Sequence, residues 1–210
     1  MSAAGADVTF AAAWLACGMI ESSISSSTAR ALVVYGSTHG HTAKIAARMA
    51  GAMRAEGLHV DVLDVADASD ADPASYDLTV VGASLHAEHH QKEVVDWVRA
   101  RRGAIDAHPS AFFSVSLSAA EDTPESRAAT QRCIDELREQ TGWRPTRTER
   151  IAGCLQYREY DMFTRRLMRL LMRRMGRPTD ASHDYDYTDW DGVDALAREI
   201  CQLASQRLPA

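Results

Sequence analysis

The stretch that decides the fold is Ala31-Leu32-Val33-Val34-Tyr35-Gly36-Ser37-Thr38-His39-Gly40-His41-Thr42. It opens with a continuous apolar run, which is typical of a parallel strand covered on both faces. Small and hydroxyl-bearing residues follow, and between Thr42 and Gly57 the apolar residues recur at helical spacing, at Ile45, Ala46, Met49 and Met53. Strand, polar loop and helix in this order predict an α/β domain whose first loop is a candidate ligand site.

The alternation of strands and helices continues along the chain. Further strands are predicted at 58–63, 78–82, 110–115 and 150–155, and further helices at 92–102, 124–141 and 191–206. Because alternating strands and helices form parallel sheets with right-handed crossovers, we expect a doubly wound, five-stranded parallel sheet of order 2-1-3-4-5 with helices on both faces.

A single domain is predicted over residues 30–207. Residues 1–29 contain no Lys or Arg, and Asp7 precedes their apolar run where a secretory signal carries positive charge, so we interpret them as an N-terminal extension. A short packed helix, a flexible tail and an alternative start site all remain open for this extension.

Composition excludes several classes of protein. The net charge of -6 argues against a general nucleic-acid binder, because phosphate contacts require a basic surface. No apolar stretch reaches the roughly 18 residues that a membrane span requires. The four cysteines are far apart and form no CxxC pair, which indicates reduced thiols in the cytosol and no zinc site.

The loop after the first strand has the chemistry of a phosphate site. Ser37, Thr38 and Thr42 supply hydroxyls, Gly40 supplies backbone freedom, and the following helix presents free N–H groups and the positive end of its dipole. The loop lacks the Lys of a P-loop and the three glycines of a dinucleotide site, so a phosphomonoester fits best. The alternative is that Ser37 or Thr38 only caps the helix.

The segment from Tyr35 to Thr42 resembles the flavin mononucleotide (FMN) phosphate loop of the flavodoxin superfamily. Five further segments, at 82–91, 109–117, 142–145, 151–153 and 187–190, resemble the bacterial flavodoxin-like, menaquinone-dependent protoporphyrinogen IX dehydrogenases. The resemblance covers about residues 30 to 205. It implies a flavodoxin-like fold and an FMN enzyme that oxidises protoporphyrinogen IX to protoporphyrin IX in haem biosynthesis and passes electrons to a membrane quinone.

The resemblance also implies which residues bind the cofactor. The phosphate contacts are Ser37, Thr38, His39, Gly40, His41 and Thr42, and the contacts to the isoalloxazine ring are Ser84, Leu85, His86, Ala87, Ser116, Leu117 and Ser118. Some family members have Arg-Tyr-Gly-His where this chain has His86-Ala87-Glu88-His89, so an aromatic residue beside the flavin is absent here.

Three histidines, His86, His89 and His90, follow the predicted third strand. An imidazole beside a flavin can donate to its oxygens or move protons, and we take His86 and His89 as the catalytic candidates. A metal site competes with this interpretation, but a histidine cluster without cysteine support is weak evidence for zinc, and we predict no metal. Histidines exposed on the surface without a role are the remaining alternative.

The segment 157–176 is basic and amphipathic. As a helix it places Phe163, Leu167, Leu170, Leu171 and Met175 on one face, and its arginines include Arg158, Arg165, Arg166, Arg169 and Arg173. Such a helix suits the carboxylates of a porphyrinogen substrate or an anionic membrane surface. We therefore expect a cytoplasmic protein that is peripheral on the membrane. The alternative is a helix packed on the sheet whose arginines pair with the acidic residues between 180 and 194.

Two other functions fit the same fold. One is a flavodoxin-type electron carrier that docks on basic partners through an acidic surface, and the other is an FMN-dependent quinone reductase fed by a nicotinamide cofactor. A basic amphipathic helix favours an enzyme that uses a membrane quinone over a carrier. The oligomeric state stays open.

Overall fold

The computed structural model describes residues 28–86, 88–121, 123–157, 162, 166, 170, 172–173, 179–180 and 182–205. Within these residues the strands are β1 (Arg30–Gly36), β2 (His59–Asp64), β3 (Leu78–His86), β4 (His89–His90), β5 (Ser110–Ser116), β6 (Arg147–Ala152), β7 (Cys154–Leu155) and β8 (Tyr185–Asp186). The α-helices with described bounds are α1 (His41–Ala55), α2 (Lys92–Asp106), α3 (Pro124–Thr141) and α4 (Trp190–Ser205), and the described residues 162, 166, 170 and 172–173 are also helical.

The main sheet has the order β2-β1-β3-β5-β6, and all of these strands are parallel. The two-residue strand β4 only adds an antiparallel arm to the end of β3. The five long strands therefore have the predicted order 2-1-3-4-5, and the flavodoxin-like doubly wound fold is confirmed. A separate two-stranded ribbon, β7-β8, lies after the sheet.

The fifth long strand begins earlier than predicted. It covers Arg147–Ala152 instead of 150–155, and Gly153 separates it from the ribbon strand β7. Its first four residues are polar and pair with β5 from Ala111 onward. A strand at the edge of a sheet needs no continuous apolar run, so the sequence pattern did not show these residues as a strand.

The two faces of the sheet are covered by different side chains. On one face, α1 and α4 pack side chains such as Ala46, Met49, Val193 and Ile200 against the sheet, where Phe113 of β5 also lies. On the other face, α2 and α3 cover Phe112, and Trp97 of α2 and Trp143 belong to the same cluster. The helices bury most of the three central strands β1, β3 and β5, so the carboxyl ends of these strands are where a ligand can approach.

Trp143 and Trp190 are buried to different degrees. Trp143 is fully buried, and its indole N–H donates to Ser110 Oγ (3.1 Å). Trp190 is partly buried, packs against the ring of His41 and donates to Asp186.

Among the described residues, no helix is long and apolar enough to cross a membrane. Of the predicted N-terminal extension, residues 1–27 lie outside the described residues, and β1 begins directly after it at Arg30. Cys133 and Cys201 are buried and Cys154 is partly buried, while Cys17 lies outside the described residues.

Candidate functional site

A cavity of about 320 Å³ opens at the carboxyl ends of β1, β3 and β5. Open α/β sheets bind ligands at this position, where the winding direction of the chain reverses. The residues that line the cavity are Ser37, Thr38, His39, His41, Thr42, Ser84, Leu85, His86, Val115, Ser116, Leu117, Gly153, Cys154 and Gln156. The cavity thus combines the loop after β1 with the two loops that the resemblance assigned to the flavin ring.

The structure brings most of the predicted cofactor contacts together. Gly40 and Ser118 lie in the expected loops but not in the cavity lining, and Ala87 lies outside the described residues. Val115, Gly153, Cys154 and Gln156 line the cavity and were not predicted. Among the described residues that line the cavity there is no Phe, Tyr or Trp, which agrees with the departure noted in the sequence at residues 86–89.

The loop after β1 presents unused hydrogen-bonding groups to the cavity. Gly40 is the N-cap of α1, in the left-handed conformation (φ 76°), and no side chain caps the helix. Neither Ser37 nor Thr38 therefore has the capping role that was the alternative to phosphate binding. The Oγ of Ser37 is buried and has no hydrogen-bond partner among the described residues. Buried polar groups in folded proteins are nearly always paired, so this hydroxyl fits a ligand oxygen.

His86 joins the β1 loop to the end of β3. Its Nε2 lies 2.7 Å from Thr38 Oγ1 and 3.2 Å from Ser84 Oγ. Partial desolvation, together with the neighbouring His39, lowers the pKa of His86 below its usual value, so the ring is neutral at physiological pH. A neutral imidazole in the cavity wall can both donate and accept a proton.

Gln91 lies beneath the same loop, immediately before α2. Its amide nitrogen donates to the Gly36 carbonyl oxygen (2.8 Å), and its amide oxygen accepts from the Ser37 N–H (3.3 Å). The hydroxyls of Thr38 (3.1 Å) and Ser84 (3.3 Å) also donate to that oxygen. No sequence pattern indicated this role, because a glutamine that precedes a helix is ordinarily a surface residue.

His41 connects the first helix to the C-terminal part of the chain. The Thr188 hydroxyl donates to the Ala152 carbonyl oxygen (2.8 Å) and therefore accepts from His41 Nε2–H (2.7 Å). Burial lowers the pKa of His41, although Asp186, 3.6 Å away, opposes this shift. His41 is thus a neutral, buried cross-link as well as a cavity residue.

His89 and His90, on the hairpin formed by β3 and β4, do not line the cavity. His89, the second catalytic candidate, is exposed and lies 3.2 Å from Glu136 of α3. His90 packs edge-on against Phe112 and lies 2.9 Å from Ser114 Oγ, and burial lowers its pKa to about 4. Only His86 of the three therefore lines the cavity.

The far wall of the cavity is formed by the β5 loop and the ribbon. Ser116 Oγ accepts from the Ala119 N–H (3.1 Å) and lies 3.0 Å from Ser118 Oγ, which stabilises the turn after β5. Cys154 lines the same wall, and burial together with Asp186 and Asp184 raises the pKa of its thiol to about 11. This thiol stays protonated at physiological pH and is a poor nucleophile.

Of the five arginines predicted to contact substrate or membrane, Arg158, Arg165 and Arg169 lie outside the described residues. Arg166 and Arg173 are helical and exposed. Within the described part of the chain, no group of three or more His, Cys, Asp and Glu side chains is placed to hold a metal ion.

The sequence of this chain matches proteins of known family over most of its length. The family described as "Flavodoxin domain" matches residues 32–182. This chain belongs to the flavodoxin domain family. A solved flavodoxin 1 from Bacillus cereus, in its oxidised form, has the same fold, with a TM-score of 0.51 and 17% identity over 86% of this chain and 99% of that one.

This chain is also similar to proteins that carry the name protoporphyrinogen IX dehydrogenase (quinone). The protein from Escherichia coli (strain K12) is 32% identical over 178 residues, which are 84% of this chain and 97% of that protein. The protein from Leishmania major is 30% identical over 181 residues, which are 86% of this chain and 78% of that protein. This chain is a member of the same flavodoxin-type family, which confirms the resemblance seen in its motifs.

Membership in the flavodoxin family indicates a flavin as the cofactor of the cavity. The residues present fit such a group, because the loop after β1 combines an unpaired buried hydroxyl at Ser37 with uncapped N–H groups at the start of α1. The cavity also lies at the position in the sheet where flavodoxin-like folds bind their cofactor.

Proposed function

We propose that this protein is an FMN-dependent protoporphyrinogen IX dehydrogenase that uses a quinone as electron acceptor. Two relatives that share most of its length carry that name. The observation that carries the proposal is the cavity at the ends of β1, β3 and β5, where the buried Ser37 hydroxyl lacks a partner among the described residues.

FMN, as opposed to another flavin, is favoured by the loop after β1. Its hydroxyls and the uncapped N–H groups of α1 suit a phosphate dianion, which a helix N-terminus stabilises through its dipole. We assign the phosphate to Ser37, Thr38, His39, Gly40, His41 and Thr42. We assign the isoalloxazine ring to Ser84, Leu85, His86 and Ala87 on one side and to Ser116, Leu117 and Ser118 on the other.

When bound, the flavin supplies the two-electron redox chemistry, and the protein supplies position and proton transfer. His86 is our catalytic candidate within the cavity, because its neutral ring lies in the cavity wall and is held there by Thr38 and Ser84. His89 is a weaker catalytic candidate, since it lies against Glu136 outside the cavity lining. The neutral Cys154 contributes no nucleophile to this site.

Contact with a membrane is part of the proposal, because the quinone of such enzymes is a membrane lipid. Met162 and Leu170 are large apolar side chains that are 85% and 54% exposed. Both are helical, as are the exposed Arg166 and Arg173, and we infer from their spacing of three or four positions that the four side chains share one face. A face that mixes apolar and basic residues suits an anionic lipid surface, so we place the protein on the cytoplasmic side of the membrane.

The decisive experiment is anaerobic reduction of the FMN-reconstituted protein by protoporphyrinogen IX. We expect the absorbance of oxidised flavin to be lost, and to return when a menaquinone analogue is added. A mixture without protein controls for spontaneous oxidation of the porphyrinogen. A protein that binds FMN but is not reduced by the porphyrinogen would instead be an electron carrier or another quinone reductase, and a protein that fails to bind FMN would refute the cofactor assignment.

The membrane contact is tested by sedimentation with vesicles that contain anionic lipid. The double variant Met162→Glu/Leu170→Glu should stay in the supernatant while the wild type sediments. The matched control is Gln131→Glu/Gln140→Glu, which adds the same charge on the exposed surface of α3. Equal sedimentation of the first variant and the wild type would count against this contact.

A further inference from the structure

Backbone atoms determine which groups donate and which accept in the hydrogen bonds beneath the β1 loop. The carbonyl oxygen of Gly36 can only accept, and the N–H of Ser37 can only donate. Both groups face the amide of Gln91, so its nitrogen must lie toward Gly36 and its oxygen toward Ser37. The opposite orientation would place two acceptors against each other at Gly36 and two donors against each other at Ser37.

This amide orientation then determines where the neighbouring hydroxyl protons point. The Gln91 oxygen lies 3.1 Å from Thr38 Oγ1 and 3.3 Å from Ser84 Oγ, and both hydroxyls donate to it. A hydroxyl has a single proton, so each of these oxygens is left to accept from any other partner. Among the described residues, both oxygens also lie close to the same atom, Nε2 of His86, at 2.7 and 3.2 Å.

We propose that Gln91 is a positioning residue that fixes His86 in the Nε2–H tautomer, through Thr38 and Ser84, and holds the β1 loop in its ligand-binding shape. Nε2 of His86 is the donor to both hydroxyl oxygens, and Nδ1 is the nitrogen that accepts a proton. The backbone thus determines the orientation of the Gln91 amide, and the amide determines the direction of the two hydroxyl protons. The hydroxyl oxygens in turn determine the tautomer of the His86 imidazole.

Gly36 belongs to this arrangement. A Cβ at this position would overlap the end of the Gln91 side chain and would lie 2.5 Å from Val94 Cγ2. The absence of a side chain at the end of β1 therefore leaves the space in which the Gln91 amide reaches the backbone of the loop. The same contacts connect the β1 loop to the start of α2, so the loop keeps its shape before any ligand arrives.

The tautomer is measured directly by long-range ¹H–¹⁵N NMR on histidine-labelled protein without flavin, at about pH 8, where histidine is neutral. The His86 signals are identified by their loss in His86→Gln. We expect a protonated Nε2 and an unprotonated Nδ1 in the wild type. In Gln91→Met, which keeps the size of the side chain but removes its hydrogen bonds, we expect a mixture of both tautomers.

Two further variants separate positioning from general stability. Gln91→Glu keeps an oxygen acceptor for Thr38 and Ser84, and it should retain the Nε2–H tautomer. Gln131→Met makes the same chemical change at an exposed position on α3 and should match the wild type in every respect. A wild type with a protonated Nδ1, or a Gln91→Met protein with the wild-type tautomer, would refute the inference.

The effect on the loop is measured by titration with FMN and with riboflavin, which lacks the phosphate; this part rests on the proposed FMN site. Gln91→Met should weaken FMN binding about tenfold or more and riboflavin binding much less, because the lost hydrogen bonds hold the phosphate loop. Equal loss for both flavins would refute the loop-holding role. If the wild type binds neither flavin while His86 shows the expected tautomer, the proposed cofactor fails and the tautomer inference stands.

Discussion

The loop after β1 and the hairpin after β3 face the same cavity, but they are held in place in different ways. The β1 loop has no side-chain cap on α1 and leaves the Ser37 hydroxyl without a partner among the described residues. In the hairpin, each histidine has a protein partner: Thr38 for His86, Glu136 for His89 and Ser114 for His90. One loop keeps hydrogen-bonding groups available for a ligand, and the other uses its groups to hold a fixed shape.

The β1 loop and the hairpin therefore have different roles in the site. Unpaired N–H donors at a helix N-terminus attract an anion. They need no rearrangement when it binds, because the backbone of the helix already orients them. The paired side chains of the hairpin hold the cavity wall in position. A catalytic imidazole such as that of His86 requires this support to keep its orientation. We therefore expect changes in the β1 loop to affect ligand affinity, and changes in the hairpin to affect mainly stability, except at His86, where the two regions meet.

The largest expected effect is the pH dependence that His90 gives to stability. Its pKa is about 4 in the folded protein against 6.5 for the free side chain, so the folded state disfavours the proton. The resulting stability is fully present above pH 6.5 and is lost as the pH falls through 4. We expect a loss of about 2 kcal/mol in the free energy of unfolding by about pH 5 and about 3 kcal/mol when the shift is fully expressed.

Chemical denaturation at a series of pH values checks this prediction. His90→Gln should flatten most of the dependence between pH 6.5 and about 5, because glutamine does not titrate. Burial also lowers the pKa of His41 and of His86, so a smaller slope should remain. An unchanged slope in His90→Gln would mean that the hairpin is not anchored through a buried neutral imidazole.

The second effect concerns the support of the β1 loop. Gly36→Ala would place a Cβ against the Gln91 amide and 2.5 Å from Val94 Cγ2, and overpacking of this kind lowers the free energy of unfolding by about 1–3 kcal/mol. FMN affinity should fall about tenfold or more, because the amide can no longer reach the loop backbone. Denaturant unfolding and flavin titration measure the two quantities.

The matched control is Gly51→Ala, in the middle of α1, where a Cβ would meet no atom within 4 Å. Alanine is the better helix former, so this variant should gain about 0.5–1 kcal/mol and leave FMN binding unchanged. If Gly36→Ala behaved like Gly51→Ala, the close packing of Gln91 against the end of β1 would be wrong.

These two regions also differ in how far the sequence could predict them. The β1 loop was predictable because strand, hydroxyls, glycine and helix are adjacent in the chain. Helix α3 begins and ends as predicted for the same reason, since Thr123 caps it, Pro124 opens it and Gly142 ends it in the left-handed conformation. Local chemistry determines such features, and a single sequence contains it.

The partners of the histidines could not be predicted, because they depend on register and on distant contacts. His86 and His89 pair across a tight turn in which Glu88 adopts a positive φ of 66°, and glutamate rarely marks such a turn in a sequence. His41 meets Thr188, which is 147 positions away. Histidine clusters in sequence therefore identified the right region but not which ring faces the cavity.

The third prediction compares two serines, Ser37 in the cavity and Ser110 at the opposite end of β5. Ser37→Ala should weaken FMN binding about tenfold or more, because a hydrogen bond to a charged group contributes about 1.5–3 kcal/mol. The free energy of unfolding should stay the same or rise slightly, since the hydroxyl has no partner among the described residues. Flavin titration tests the expected loss of affinity, and denaturant unfolding of the same preparation tests the expected free energy of unfolding.

Ser110→Ala is the opposite case and the control. Ser110 Oγ accepts from the indole N–H of the fully buried Trp143, so its removal should lower the free energy of unfolding by about 1–3 kcal/mol. FMN affinity should not change, because Ser110 begins β5 at the end of the strand opposite the cavity. If both serine variants lost stability equally, the hydroxyl of Ser37 would have a structural partner.

The smallest expected effect compares His86 with His89, two exposed histidines three residues apart on the same hairpin. His86 contacts Thr38 and Ser84 in the cavity wall, so His86→Ala should weaken FMN binding about fivefold through the loss of these hydrogen bonds. His89 instead lies against Glu136 of α3, outside the cavity lining, and His89→Ala should bind FMN like the wild type. Because both substitutions remove the same ring from neighbouring positions, a difference between them in flavin titration reports the direction of the ring and not the loss of a histidine. Equal weakening would mean that the hairpin acts as one rigid wall, and that the separation between its cavity side and its α3 side has no consequence for the cofactor.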